Sequence, residues 1–96
     1  MFIVSLTYNR PLTEVDLHLE AHVAYLQAQY AKGHFIFSGR KVPRTGGVIV
    51  AKVKTRDELE AILAKDPFAI AGIAEYEITE FVASMTAADL DKLKEQ

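Results

Sequence analysis

The sequence contains no cysteine, which excludes disulfide bonds, thiolate nucleophiles and thiolate metal sites. Because small secreted domains often depend on disulfides, this absence favours a reducing cytoplasm as the compartment of the protein. Long hydrophobic runs are absent as well, since no stretch approaches the roughly 18 apolar residues that a transmembrane helix needs. The opening segment Met1–Leu6 has no basic residue and only a short apolar run, so it is not expected to be a signal peptide.

Neither sign of charge dominates the chain. Its 11 Lys and Arg residues and 13 Asp and Glu residues give a formal net charge of −2, and no run of basic residues forms a polybasic stripe. We therefore expect no nucleic-acid partner and no membrane association. An RNA-binding sheet would also need stacking aromatic residues beside basic ones, and a metallochaperone would need Cys-x-x-Cys; both patterns are missing.

With 96 residues, the chain is long enough for one domain, and we predict a single domain over 1–96. Half of the residues are hydrophobic and 25% are charged, as in a packed globular protein. A core of this size is small. Burial of apolar surface against a second subunit would therefore help to stabilise it.

The spacing of apolar residues alternates between a period of two and a period of about 3.6 along the chain. The predicted elements are a strand over 2–8, a helix over 14–32, strands over 34–38 and 48–54, a helix over 55–65, a short helix from 66, a strand over 75–81 and a final helix over 86–95. Capping and stop signals are expected at Thr13, Gly33, Thr55, Asp66, Gly72 and Thr86. The longest predicted loop covers 39–47, because it holds a proline and several glycines.

This order, βαββαβ followed by a peripheral helix, predicts an α+β fold of the ferredoxin-like type. In such a plait, here expected over 1–82, two helices cover one face of a four-stranded antiparallel sheet. The other face should carry Ile3, Val48, Val50 and Phe81. A symmetric second copy is the simplest cover for these apolar side chains, so we predict a homodimer through the helix-free face. Single exposed apolar residues are common on monomers, which is the alternative.

A histidine interrupts the apolar face of the first predicted helix. His22 falls between Leu19 and Leu26 on the stripe that also holds Val15 and Tyr30. A buried imidazole needs a hydrogen-bonding partner, because burial removes its contacts with water. From periodicity alone, His22 is either a hydrogen-bonded core residue or a reactive group.

Asp66 is the candidate partner. It precedes Pro67 at the end of the second predicted helix, and both helices lie on the same face of the plait. An N-cap carboxylate accepts backbone N–H bonds, which fixes its orientation, and a second lone pair could then fix the tautomer of His22 and raise its basicity. Plain helix capping is the alternative function of Asp66.

Several short segments, in this order, carry a resemblance to a known family. They are His22, Tyr25-Leu26, Gly33, Phe37-Ser38-Gly39, Asp66-Pro67-Phe68, Ala71-Gly72 and Glu77-Ile78-Thr79-Glu80-Phe81. The chain resembles the YciI-like (YCII-related) family from the first strand to Phe81. The resemblance implies a dimeric α/β-barrel plait, with His22 and Asp66 as an acid–base pair in a pocket. Relatives include dehydrochlorinases of chlorinated hydroxyquinol-type aromatics, and similar folds carry muconolactone isomerases; these reactions use no metal and no organic cofactor.

Two positions depart from the family pattern. Leu19 stands where many members have arginine, and Gly39-Arg40 replaces the usual Gly-Pro. Arg40 could supply the missing charge to an anionic substrate, or it could be a solvated loop residue. The predicted substrate-binding residues are Tyr8, Arg10, His18, Tyr25, Ser38, Gly39 and Arg40. His18 and His22 have the spacing of two metal ligands, but no third ligand follows, so no metal is predicted.

The sequence thus leaves two functional hypotheses. The first is a cofactor-free lyase, dehydrochlorinase or isomerase in which His22 and Asp66 transfer protons on a small cyclic or phenolic substrate. The second is a non-catalytic module, either a binder of small ligands or a structural dimer.

Overall fold

The computed structural model describes residues 1–95 of the chain. Its elements are β1 (Phe2–Tyr8), α1 (Leu12–Asp16), α2 (Leu19–Ala31), β2 (Phe35–Arg40), β3 (Gly46–Ala51), α3 (Arg56–Leu63), α4 (Pro67–Ile70), β4 (Ala74–Glu80) and a C-terminal 3-10 helix (Ala88–Leu93). The four strands form one antiparallel sheet in the order β2-β3-β1-β4. This order is the one that a ferredoxin-like βαββαβ plait requires, and the predicted α+β fold is confirmed.

Alternation along β1 separates the two faces of the sheet. Phe2, Val4 and Leu6 are buried, whereas Ile3 between them is 38% exposed. Successive side chains of a strand point to opposite faces, so the buried residues lie under the helices. The core continues with buried residues of the other strands, the helices and the connections: Val15, Phe35, Ile49, Ala51, Leu59, Ile62, Leu63, Phe68 and Ile73.

The first predicted helix is in fact two helices. Pro11 is the N-cap of α1, and its carbonyl accepts bonds from the N–H groups of Glu14 (2.9 Å) and Val15 (3.1 Å). Thr13 therefore lies inside the helix and not at its N-cap. The N–H groups of Leu17 and His18 then bond three residues back, at 3.2 and 3.0 Å. Such bonds close a helix more tightly than the α-helical pattern, and α2 starts afresh after His18.

The hairpin between β2 and β3 is much tighter than the predicted loop over 39–47. β2 continues through Gly39 and Arg40, β3 begins at Gly46, and the N–H of Lys41 bonds the carbonyl of Gly46 at 2.9 Å. A Cβ on Gly46 would lie 1.8 Å from the carbonyl oxygen of Leu6. Glycine is therefore needed here for a close approach to β1 and not for a turn. At its other end β3 stops at Ala51, before the predicted end at Lys54.

Helix-end signals in the middle of the chain are confirmed. The hydroxyl oxygen of Thr55 accepts the N–H of Glu58 at 3.1 Å, and Asp66 caps α4 with Pro67 at its first position. Gly33 and Gly72 have φ values of 77° and 67°, the left-handed conformation that glycine adopts most easily after a helix. The predicted Thr86 cap is wrong: the 3-10 helix follows Ala87 without a side-chain cap.

The C-terminal segment is fastened by one side chain. The carboxylate of Glu95 accepts bonds from the Met1 amino group (3.0 Å) and from the Ala83 N–H (2.9 Å). The Ala83 N–H and, next, the amino group lower the pKa of Glu95. All six residues of the 3-10 helix lie outside the core, and the N–H of Glu95 adds a backbone bond to the carbonyl of Ala83 at 2.9 Å.

Candidate active site

The face of α2 that carries His22 is one wall of a cavity of about 460 Å³. His22 is 9% exposed, and its apolar neighbours on the helix, Leu19, Val23 and Leu26, line the same cavity. The apolar stripe predicted for the core is therefore partly a cavity wall. This position gives a nearly buried imidazole access to a ligand.

Asp66 lies fully inside the protein, with 0% exposure. Its backbone is extended (φ −64°, ψ 128°), and its Oδ1 accepts the N–H of Phe68 at 3.0 Å. Pro67 has no N–H, so the first donor of α4 that can reach the carboxylate belongs to Phe68. The turn between α3 and α4 thus fixes the orientation of the Asp66 side chain.

His22 and Asp66 are in direct contact. Nδ1 of His22 lies 2.7 Å from Oδ1 of Asp66, and the hydroxyl of Tyr76 donates to Oδ2 at 2.6 Å. With the Phe68 N–H, three donors surround this buried carboxylate, and their hydrogen bonds replace the solvation lost on burial. An ionised carboxylate only accepts, so Nδ1 carries the proton and Nε2 of the neutral ring has the free lone pair. Since His22 lines the cavity, Nε2 is the nitrogen available to a ligand.

Tyr76 remains a donor throughout the ordinary pH range. Burial, above all, and then its hydrogen bond to the Asp66 carboxylate raise the pKa of the Tyr76 phenol well above its usual value. Burial and the same carboxylate also raise the pKa of Tyr25. Both rings are therefore held as neutral phenols beside one carboxylate.

Aromatic rings fix the plane of the imidazole. The ring of Phe68 lies parallel to that of His22, with centroids 3.9 Å apart and 6° between the planes. Tyr8 meets Phe68 edge to face at 5.8 Å. Because the N–H of Phe68 also bonds Asp66, one residue orients both members of the pair.

The opposite side of the cavity is formed by the β2–β3 hairpin. Arg40 pairs with Gly47, and Gly47 pairs with Leu6 on β1. These three positions share the helix-covered face, so the missing side chain of Gly47 leaves room between Arg40 and β1. Gly47 itself lines the cavity, as Leu6 and Arg40 do.

Four of the predicted substrate-binding residues line this cavity: Tyr8, Ser38, Gly39 and Arg40. The hydroxyl of Ser38 forms a short hydrogen bond with the hydroxyl of Tyr30. A ligand that bonds Ser38 would therefore share it with Tyr30.

The other three predicted substrate-binding residues lie outside the cavity lining. Arg10 is at the surface, where its Nε lies 3.3 Å from a carboxylate oxygen of Glu14. His18 occupies the N-cap position of α2. Tyr25 donates its hydroxyl to the carbonyl of Ile62 on α3 at 2.8 Å, so its polar end is directed into the protein interior.

Three residues of the site were missed at the sequence level. Tyr76 followed the alternation of a half-buried strand and carried no mark of a polar partner. Arg44 lines the cavity and bonds Asp16 through Nη2 at 2.6 Å, but its sequence position indicated only a loop. Gly47 was part of that same loop signal.

Two further observations concern residues 1–95. No group of three or more His, Cys, Asp or Glu side chains there is arranged to hold a metal ion. None of the helices in this range has the length and apolar character that a membrane crossing demands.

Comparison with solved structures supports the fold. The chain is similar to 5-chloro-2-hydroxyhydroquinone dehydrochlorinase (TftG) from Burkholderia phenoliruptrix AC1100, solved in complex with 2,5-dihydroxybenzoquinone. The TM-score is 0.67 at 21% sequence identity, and the match covers 84% of this chain and 93% of that one. No curated protein sequence matches the chain.

A scan against protein-family models tests the family resemblance directly. The model that describes the YCII-related domain matches residues 1–82. That range contains β1 to β4 with all four α-helices, and both His22 and Asp66. The chain therefore belongs to the YCII-related domain family.

Proposed function

We propose that this protein is a cofactor-free acid–base enzyme in which His22 transfers a proton to and from a small cyclic or phenolic substrate and Asp66 supports it. The observation that carries the proposal is the 2.7 Å contact between Nδ1 of His22 and a fully buried Asp66. This contact leaves Nε2 for the cavity. A positioned general base of this kind contributes about 10²- to 10⁴-fold to a rate.

The proposed step begins when Nε2 takes a proton from a hydroxyl group or an activated carbon of the substrate. The electron pair of the broken bond stays on the substrate. In a dehydrochlorination it expels chloride, and in an isomerisation another carbon takes up a proton from the imidazolium. Asp66 stabilises the imidazolium between these events, because it is an anion held next to Nδ1.

The dehydrochlorinase type is supported by the similar fold of the Burkholderia enzyme, whose name states its substrate. We propose further that the protein works in the cytoplasm as a homodimer that pairs through the helix-free sheet face. The cavity volume of about 460 Å³ suits a single-ring compound.

Chloride release from 5-chloro-2-hydroxyhydroquinone tests the dehydrochlorinase type, and deuterium uptake from solvent into muconolactone tests the isomerase type. We expect one of the two activities in the wild-type protein. His22→Asn should lower it by about 100-fold or more, and Asp66→Asn should also lower it sharply. His34→Asn is the matched control, because His34 bonds Gln29 away from the cavity. Absence of both activities, or an activity that His22→Asn retains, would contradict the proposal.

A purely structural function for the pair is the competing candidate, and the three hydrogen bonds on Asp66 favour it. Under that function, His22→Asn should lower the free energy of unfolding by about 1 kcal/mol or more. Under the catalytic function the variant should be as stable as the wild type or more stable, since active sites often reduce stability. Urea denaturation of both proteins separates these outcomes.

A further inference from the structure

We propose that the cavity beside His22 selects a cyclic compound with one negative charge, and that Arg40 is the residue that makes this selection. The inference rests on the proposed function, because it concerns the ligand of the same cavity. It adds the charge of the substrate and the side of the cavity on which that charge lies.

Arginines are the charged side chains in the lining of the cavity. Arg40 and Arg44 are both in its lining, and none of its lining residues within 1–95 is Asp or Glu. The whole chain carries a net charge of −2, so the charge of the cavity lining is opposite in sign to the net charge of the chain. A cavity with one sign of charge and apolar walls concentrates ligands of the opposite sign.

The two arginines are not equivalent. Arg44 bonds Asp16 at 2.6 Å, so its charge is compensated by a carboxylate of α1. Among the described residues 1–95, Arg40 has no carboxylate within the distance of an ion pair. One uncompensated cation remains, and it matches one negative charge on the ligand.

The sheet places Arg40 where a ligand can reach it. Arg40 and Ser38 lie on the helix-covered face of β2, the face that α2 and His22 overlie. The partner of Arg40 across the hairpin is Gly47, which has no side chain to cover the guanidinium. A ring between the apolar side chains of α2 and the sheet would thus meet Arg40 with its anionic group and His22 with its exchangeable proton. Guanidinium groups bind carboxylates, phenolates and enolates by charge-assisted hydrogen bonds.

Binding of two nearly isosteric probes tests the proposal. Para-hydroxybenzoate carries one negative charge at neutral pH, whereas para-hydroxybenzamide carries none. Titration calorimetry on the full chain should show binding of the benzoate at least about tenfold tighter than that of the benzamide, since a hydrogen bond between charged groups contributes about 1.5–3 kcal/mol. Arg40→Ala should weaken benzoate binding by about 10- to 100-fold and leave the benzamide unaffected, while Arg40→Lys should restore part of the preference.

Arg56→Ala is the matched control, because Arg56 pairs with Glu60 on the outer surface of α3. It should bind both probes like the wild type, and thermal melting of each variant checks the fold. Equal affinity for the two probes, a preference that survives Arg40→Ala, or failure of the wild type to bind the benzoate would each overturn the selection by Arg40. None of these results depends on turnover. If His22→Asn loses activity but the wild type shows no preference for the benzoate, the proposed function stands and only the selection by Arg40 fails. If the preference for the benzoate is present but His22→Asn keeps its activity, only the proposed function fails.

Discussion

The hydroxyl of Tyr76 on β4 donates to Oδ2 of Asp66 at 2.6 Å, on the side of the carboxylate away from His22. Oδ1 is shared by the His22 ring and the Phe68 N–H. Asp66 therefore accepts bonds from residues of α2, α4 and β4, and its carboxylate group is not free to rotate. Tyr76 acts on the site through Asp66 and is a positioning residue.

The first prediction concerns two buried tyrosines with different partners. Tyr76→Phe removes a bond to a carboxylate and should lower the free energy of unfolding by about 1.5–3 kcal/mol. Tyr25→Phe removes a bond to the Ile62 carbonyl and should lower it by only about 0.5–1.5 kcal/mol. Urea denaturation of both variants measures the difference. Tyr76→Phe should also reduce kcat with little change in KM, a split that would not arise if Tyr76 only stabilised the fold.

The second prediction is a loss of stability at alkaline pH. The pKa values of Tyr25 and Tyr76 are raised in the folded chain, in both cases first by burial, whereas both tyrosines ionise near pH 10 in the unfolded chain. Below about pH 10 the phenols are protonated in both states, and their contribution is complete. Above it the unfolded chain loses protons first, so the free energy of unfolding falls as the pH rises towards the folded pKa values. Denaturation at increasing pH, followed together with phenolate absorbance, should show this decline, and Tyr76→Phe should make it shallower; equal slopes would argue against the assignment.

The third prediction concerns the close approach of β3 to β1. A Cβ on Gly46 would lie 1.8 Å from the backbone oxygen of Leu6, which no side-chain movement can relieve. Gly46→Ala should therefore lower the free energy of unfolding by about 3 kcal/mol or more. A Cβ on Gly39, in the facing strand, meets nothing within 4 Å, and Gly39→Ala should be nearly neutral. Similar melting temperatures for the two variants would contradict this explanation of Gly46.

The fold could be predicted because each element carries its own local signal. Three examples are the alternation in β1, the Thr55 cap and the Asp66-Pro67 pair. Each depends on residues that are near in sequence, and the structure contains all three. The break after Asp16 has no such signal, because neither Leu17 nor His18 is a helix breaker. The Arg44–Asp16 bond spans 28 residues, and sequence periodicity does not report a tertiary contact of this kind.

The same distinction applies to the site, where local patterns identified single residues but not tertiary contacts. His22 stood out as a titratable group on an apolar stripe, and Asp66 as a cap at the end of a helix on the same sheet face. Tyr76 and the purely apolar Ile78 both follow the alternation of β4. This pattern could not show that the Tyr76 hydroxyl has a buried carboxylate as its partner. In the sequence, Gly47 indicated only a turn. Its contribution to the cavity depends on which strands flank it in the sheet.

The last prediction concerns the helix-free face of the sheet. Phe37 is 57% exposed there and Ile3 is 38% exposed, and both pair with Val50 on β3. Phe37, Ile3, Val50 and Val48 form an apolar patch over β2, β3 and β1. Phe37 was not predicted from the sequence to lie in this patch. Burial against a second copy would remove this patch from water, so light scattering should give twice the mass of the chain.

Phe37→Glu places a charge in that patch, on edge strand β2 and next to Val50. Burying an unpaired carboxylate in the dimer costs several kcal/mol, so the variant should elute as a monomer at micromolar concentration. Val42→Glu is the control, because Val42 is 92% exposed in the hairpin loop, off the sheet face, and it should remain dimeric. The patch accounts for dimerisation only if the two variants differ. A monomeric wild type would show that this face stays open to solvent, and a dimeric Phe37→Glu would move the interface elsewhere on the protein.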